Sequence, residues 1–425
     1  MPKIPQMKKS ILLLLLLPFV AFGQDEAKFG IKFSGYVKND IFFDSRQSEN
    51  LREGHFLLYP LNTSYDSDSA DINAQPSFNM LSIQSRLRGE ISAPDALGAK
   101  TSGVLEAEFF GTSNADINGF RLRHAFVKLN WKTTELIIGQ TWHPMFVSAC
   151  APDVVSANTG SPFQPFSRNP QIRVTQKAGP LKIMAAVLSQ RDFASTGPEG
   201  ISSKYLRNSA IPDMQAQLYY AKSTTDLKNE IVAGIGGGYK IIKPRLVTDS
   251  SYKTNTKLGS LSAIAYFKIK CNNIQWKLEG VYGQNMYDMM MLGGYAVQYD
   301  TVAENLVKDD KQYTNLHVFS VWSDFGVAVK KFQFAIFGGY TRNMGSWHNV
   351  SNWTSASSFY ARGSNIQSVC RVSPRVVYST GKFRVALEGE YTAANYGADI
   401  SSLAQLTNLK TVSNIRVLLG VFYYF

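Results

Sequence analysis

Cysteine, histidine and long apolar runs are what this chain has least of, and each shortage removes a class of protein. Three cysteines in 425 residues, Cys150, Cys271 and Cys370, are odd in number and far apart. They form neither a disulfide scaffold nor a zinc pattern. The five histidines, at 55, 124, 143, 317 and 348, keep no metal-ligand spacing, so neither a metal nor any other cofactor is expected. Beyond the N-terminal segment no stretch reaches 18 apolar residues without a charge, which excludes transmembrane helices. No Gly-x-Ser-x-Gly elbow is present, and no nucleophile–base pair can be assembled from these histidines, so the chain does not read as an enzyme. Gly234-x-Gly236-Gly237-Gly238 lacks the Lys-Ser/Thr that completes a phosphate loop; such glycines in a strand let a neighbouring aromatic lie over the backbone. Asp66, Asp68 and Asp71 lack the closing Glu of a calcium loop. There is also no linker, composition break or solenoid repeat, although a soluble chain of this length usually divides into two or three domains. Lys and Arg outnumber Asp and Glu by 44 to 32, but no helix or loop gathers the excess, so nucleic acid is not an expected partner.

What is present begins with an export signal. Lys8 and Lys9 precede an apolar run from Ile11 to Phe22, and Ala21-Phe22-Gly23 is a small-x-small cleavage pattern. The apolar core is about a dozen residues, short of the ~20 that a spanning helix needs. Residues 1–23 therefore read as a secretory signal peptide, with Met7 as an alternative start and Gln24 as the first mature residue. Position 24 is not cysteine, so a lipid-anchored lipoprotein is not expected.

From Phe29 onward the chain alternates with period two. Phe29, Ile31, Phe33, Val37, Ile41 and Phe43 share one face; Lys32, Ser34, Tyr36, Lys38 and Asp40 share the other. A two-faced strand of this length exceeds the usual soluble strand of about 5 or 6 residues and suits one tilted across a bilayer, which needs ~9–11. The pattern predicts strands at 29–44, 78–92, 101–111, 119–131, 135–142, 169–178, 181–190, 212–222, 229–240, 258–271, 274–287, 315–330, 332–344, 365–379, 383–395 and 413–425. Connections alternate in length. Those after even strands are short, as at Lys132-Thr133-Thr134, Gly179-Pro180 and Thr380-Gly381-Lys382; those after odd strands are mostly long and polar, as at 45–77, 143–168 and 288–314. A soluble sandwich has no reason to alternate in this way. An outer-membrane barrel does, with tight periplasmic turns and longer external loops. The expected fold is all-β: a transmembrane antiparallel β-barrel of about 16 strands occupying residues 24–425, exported through the periplasm into the outer membrane.

The final strand carries a further mark. Ile415, Val417, Leu419, Val421, Tyr423 and Phe425 share one face. Gly420, Tyr423 and Phe425 match the Gly-x-x-aromatic-x-aromatic ending that resembles the recognition signal of the barrel-assembly machinery. With the apolar faces toward lipid, the opposite faces line a lumen. Leu81, Ile83 and Leu87 are then expected outside, with Gln84, Arg86, Arg88 and Glu90 inside. Glu106, Glu108, Arg121 and Arg123 point in, with a bulge near His124 where the phase changes. Arg173, Arg371, Arg375, Arg384, Glu388, Glu390 and Arg416 also face in. A lumen with an arginine group facing a smaller acidic group biases which ions pass, and guanidinium offers planar donors to carboxylate or phosphate.

The segment from Thr141 to Arg168, rich in proline and aromatics, reads as a packed loop rather than a surface tail. The run Arg121 to Trp131, then Leu136 to Gln140 and this long third loop, resembles the general porin family, which implies that 143–168 folds inward and constricts the barrel. The stretch from Gly139-Gln140-Thr141-Trp142 through Arg168-Asn169-Pro170-Gln171 resembles the DcaP-like branch of the outer-membrane porin superfamily. That resemblance implies a trimeric channel for small anionic solutes, with Arg86, Arg88, Arg121, Arg123, Arg168 and Arg173 as a basic wall and Asp153 on the loop. The expected function is passive diffusion of small hydrophilic solutes, biased toward anions, in a homotrimer surrounded by outer-membrane lipid. The alternatives are a substrate- or phosphate-selective porin, an outer-membrane hydrolase, and a closed barrel for adhesion.

Overall fold

A computed structural model describes residues 29–425. The expected signal peptide at 1–23 and the mature start at Gln24 lie outside the described residues. The strands are β1 (Gly30–Asp44), β2 (Ser48–Leu51), β3 (Phe56–Pro60), β4 (Ser77–Leu81), β5 (Arg86–Ser92), β6 (Lys100–Glu108), β7 (Arg121–Asn130), β8 (Thr134–Trp142), β9 (Arg168–Ala178), β10 (Leu181–Leu188), β11 (Asp213–Ser223), β12 (Asn229–Ile242), β13 (Leu258–Cys271), β14 (Ile274–Gln284), β15 (Gly293–Val297), β16 (Tyr313–Val329), β17 (Phe332–Ser346), β18 (Phe359–Arg362), β19 (Ile366–Thr380), β20 (Phe383–Ile400) and β21 (Leu406–Tyr424). Each wall strand pairs antiparallel with its neighbours, and β1 closes the sheet on β21 from Tyr36–Tyr424 to Asp44–Arg416. Counting β4 and β5 as one interrupted strand, the wall has 16 strands, as expected. β2 and β3 form a separate hairpin, while β15 and β18 belong to external loops. No helix among the described residues is long and apolar enough to cross a membrane.

Closure follows from the solvent. Hydrocarbon offers nothing to an unpaired peptide group, so a spanning sheet must have no edge. The alternation then sets the two faces. Ile31, Phe33, Val37 and Phe43 are exposed on the outside of β1, whereas Lys38, Asp40, Phe42 and Asp44 are buried inside. The expected bulge is present: Glu106 pairs with His124 but Ala107 pairs with Leu122, leaving Arg123 as the extra residue, and Arg123 and His124 both end up inside and buried.

Three expectations on boundaries need correction. The strand expected at 78–92 breaks into β4 and β5 at a turn closed by Ser85 N–H donating to Ser82 O (3.1 Å). Ile83, expected outside, is therefore buried, and Leu81 packs against the interior clusters. The turn resets the period, which two-residue counting could not register. The third external loop ends at Ser167, because Arg168 is already the first residue of β9. The last external connection is short, spanning 401–405, because β20 and β21 run well past the expected ends. Glycine admits one close approach at the seam. A Cβ on Gly35 would lie 2.1 Å from Arg86 O and 2.8 Å from the Phe425 ring. The expected reading of the glycine run also holds at Gly234, where a Cβ would meet Tyr266 and Tyr219.

Gly35→Val should cut the folded fraction severalfold in heat-modifiable electrophoresis, because β1, β5 and the terminal strand meet at this point. Gly389→Val is the matched control: an added Cβ there meets nothing within 4 Å, and the folded fraction should stay as in the parent protein.

Candidate functional site

The eight outer connections lie at one end of the barrel and the short turns at the other. The third connection, 143–167, does not stay at the rim. It crosses the interior and is bonded to strands on the far side. Cys150 Sγ donates to Phe267 O (3.3 Å) and Lys277 Nζ to Ala151 O (2.7 Å). Val155 N and Ser156 N donate to the two oxygens of Glu388 (2.8 and 3.1 Å), and Asn158 Nδ2 to Glu390 (3.1 Å). Ser320 Oγ donates to Phe163 O (2.7 Å). The loop's aromatics pack together and onto the end of β8: Trp142 stacks on Phe146 with centroids 3.8 Å apart, and Phe166 meets both edge-on. The β2–β3 hairpin folds inward as well, with Phe56 against Phe166. Burial pushes the Cys150 thiol up to about 12, so it serves as a donor and not as a thiolate. Burial also raises the Asp153 carboxyl, but Lys277 Nζ at 2.8 Å outweighs it and holds the group below its ordinary value.

Beside this loop the wall strands bring together residues far apart in sequence. Arg123 donates Nε to Glu106 (2.8 Å) and Nη1 to Glu108 (2.6 Å). Arg86 Nη2 reaches Glu108 (3.0 Å), Arg88 Nη1 reaches Glu106 (3.0 Å), and Arg121 Nη2 reaches Glu108 (2.9 Å). Arg168, fully buried, pairs with Asp192 at 2.8 Å and lies 3.9 Å from Glu108. Five guanidiniums thus share Glu106, Glu108 and Asp192, Arg88 also donates to the exposed Glu90 (3.0 Å), and one positive charge is in excess. Rings hold the guanidinium planes: Arg86 lies 5.1 Å over Tyr36, Arg123 5.5 Å over Trp142 and Arg121 4.8 Å over Phe110, contacts that orient the cation while leaving its edges free to donate. A cavity of about 480 Å³ runs past this group. Its charged lining is Lys38, Arg86, Arg121, Arg123 and Arg384 against Glu108 and Asp153.

The other charges expected in the lumen face inward but divide by environment. Arg371, Arg375, Arg416, Glu388 and Glu390 are buried and hold loops in place rather than meeting open space. Arg371 donates to Ser161 O (2.9 Å) and Leu58 O (2.8 Å). Arg375 pairs with Asp324 (2.8 Å), whose other oxygen accepts from Asp153 N (2.7 Å). Arg416 chelates Asp44 across the seam (2.9 and 2.6 Å) and caps Gly54 O. Arg384 is exposed at the turn end, 5.2 Å over Tyr424. Arg173 lies apart, in a second cavity of about 380 Å³ with Lys182, Lys222, Glu135 and Glu230. Tyr423 and Phe425 are exposed on the outer face, and Phe425 N and O both bond to Gly35 (3.1 and 3.3 Å), while Gly420 pairs with Asp40. Asp192, Arg52 and Lys38 were not singled out from the sequence. Lys38 lay on a face already read as inward; Asp192 and Arg52 sit in loops where no periodicity marks them. Among the described residues no cluster suits a metal ion.

Residues 22–205 match the family model described as DcaP outer membrane protein. The resemblance read from the segment Gly139–Gln171 is borne out over that span. Among solved structures, the outer membrane channel DcaP of Acinetobacter baumannii superposes with a TM-score of 0.67 at 14% identity, covering 96% of this chain and 100% of that one. OmpT of Vibrio cholerae, in its trimer form, gives 0.54 at 12% identity over 93% of this chain and 99% of that one. OprB of Pseudomonas putida gives 0.51 at 9% identity over 93% and 94%. At these identities the likeness is one of fold. No curated protein matches the chain. The likeness of fold is to outer-membrane proteins, the DcaP channel among them.

Arg123→Ala should destabilise the barrel by about 3–5 kcal/mol, since it leaves Glu106 and Glu108 buried without their closest partner. Arg88→Ala, at a half-exposed pair, should cost about 1 kcal/mol or less. Urea unfolding in lipid vesicles reads both values, and equal losses would contradict the assignment.

Proposed function

We propose that this chain is a passive outer-membrane channel for small hydrophilic solutes, biased toward anions. The observation that carries the reading is the charge of the cavity beside loop 143–167: five basic side chains against two acidic ones. A solute arriving through the external mouth meets a lumen narrowed by that loop. The loop is tied to buried Glu388, Glu390, Asp324 and Arg371, so the constriction is held and does not depend on the solute. Guanidiniums already oriented by carboxylates and rings attract an anion without reorganising, and cations are repelled by the surplus positive charge. Nothing is chemically changed in transit. Arg384 at the periplasmic mouth meets the solute last, and its exposure leaves its field open to passing ions.

The assembly we propose is a homotrimer. β5, β6, β7 and β8 have 7, 9, 10 and 9 residues, whereas β16, β17, β19, β20 and β21 have 15 to 19. A strand near the ~9–11 residue minimum makes a low wall, and Leu87, Leu105, Val127 and Ile138 are exposed on it. Packing against further copies would cover this side. The terminal Gly420, Tyr423 and Phe425 serve as the signal read by the barrel-assembly machinery.

Single-channel recording in a planar bilayer under a KCl gradient tests the conduction reading. Stepwise conductance with an anion-selective reversal potential is expected. Arg384→Glu should shift that potential toward cations without loss of folded protein. Glu388→Ala should loosen the loop and raise open-channel noise. A folded barrel without conductance would overturn the function, and conductance with cation preference would overturn the role of the arginines. Unheated electrophoresis should show a three-chain species, and Leu105→Asn with Ile138→Asn should convert it to a single chain.

A further inference from the structure

The low wall has a notch at its outer end. Pairing of β7 with β8 stops at Ala125–Gln140. Beyond it the Gln140 side chain donates to Arg123 O (3.2 Å) and Leu122 O (3.4 Å), standing in for the missing strand. A cavity of about 520 Å³ occupies the notch. It is lined by Arg121 and Asp192 of the inner group, by Arg52 and Arg191, and by Phe120 and Leu122, whose side chains are exposed. Of the residues that line the lumen cavity, only Arg121 also lines this one.

The cations of this notch are short of anions. Arg52, at the tip of the β2–β3 hairpin, is buried and donates only to carbonyls, Nε to Phe110 O (2.9 Å) and Nη2 to Gly111 O (3.2 Å). It has no carboxylate in ion-pair reach among the described residues. Burial, with Arg121 nearby, pulls its guanidinium down to about 10; it stays charged at neutral pH, at a cost that a bound anion would offset. Arg191 is exposed, and its side chain forms no hydrogen bond or ion pair among the described residues. Of the two acids of the notch, Asp192 is shared by Arg121 and Arg168, and Asp116 is an anion that accepts from Thr112 N and Oγ1 (3.0 Å each), so three guanidiniums face two carboxylates.

We propose that this notch is a binding site for a phosphate-class oxyanion, outside the conducting lumen. Three guanidiniums around one cavity suit a tetrahedral dianion with three or more acceptor oxygens, whereas a carboxylate would occupy a single fork. The site lies at the loop end of the wall, beside apolar side chains that face out. Its anion is either a free phosphate-bearing solute or the headgroup of a lipid held at the outer end of the boundary between copies. The inference does not rest on conduction, since Arg52 and Arg191 do not line the lumen cavity.

The test is thermal unfolding of the purified protein in detergent, titrated with inorganic phosphate at constant ionic strength. Saturable stabilisation is expected, because a ligand that binds only the folded state raises its stability by mass action. Arg191→Gln and Arg52→Gln should each raise the half-saturating phosphate concentration about tenfold, the loss of one charge-assisted contact, with KCl conductance unchanged. Arg191 makes no side-chain contact that folding needs, so its variant cannot be dismissed as misfolded. A phosphate response that does not saturate, or one with the same midpoint in the Arg191 variant, would overturn the proposal. Repeating the titration in phosphatidylcholine vesicles with and without lipopolysaccharide separates the sources. A response lost when lipopolysaccharide is present assigns the site to a lipid headgroup; one retained in both assigns it to a free solute.

Discussion

A peptide group in hydrocarbon has no water to bond, and every other feature of this barrel follows from that. Pairing must be complete, so β1 returns to β21 and the sheet has no edge within the membrane. Closure makes the two faces unequal. One meets lipid and takes Phe, Ile, Leu and Val; the other encloses a space in which polar and charged side chains are permitted. The alternation of β1, the exposed aromatics of β21 and the glycine at position 35 all serve this one constraint. Where pairing is locally abandoned, between β4 and β5 and at the outer end of β7, side chains repair it. Ser85 Oγ accepts from Lys38 N (3.0 Å), and Gln140 bonds to the carbonyls that β8 no longer reaches.

Enclosing charge brings a second problem. A buried guanidinium is tolerated only with partners, and the interior supplies them in two ways. Near the inserted loop, Arg371, Arg375, Glu388 and Glu390 are consumed in holding backbone and neighbouring charges. Around Glu106 and Glu108 the partners are too few for the cations, and the surplus remains as a field in the cavity. The same residue types therefore do opposite work within one lumen, distinguished by whether their partners are fixed groups of the loop and wall or leave an edge facing open space.

The fold was legible because strand alternation is a local property. A side chain's face depends on parity, and parity survives as long as the strand runs unbroken. Glu106, Glu108 and Arg121 were placed correctly inward for this reason, and the bulge at Arg123–His124 showed as a change of phase. Ile83 failed where a four-residue turn reset the count. The site was legible only in part. Inward orientation could be read for Arg371 and Arg416, but their burial could not, because it depends on a loop more than 200 residues away in the case of Arg371. Asp192 and Arg52 lie in connections where no period operates, and they join the arginine group only through the folding of the loops.

The sequence by itself determined the class of structure, the number of strands, which end carries the loops and, except where the β4–β5 turn resets the count, which face of a strand meets lipid. All of these follow from hydrogen-bond satisfaction and period-two patterning, which act within about ten residues. Tertiary structure alone decided which charges meet. Five arginines from β5, β7 and β9 converge on acids from β6 and the loop after β10, and loop 143–167 buries some arginines while leaving others open. Electrostatic environment is a sum over neighbours in space, and in a closed sheet most of those neighbours are remote in the chain.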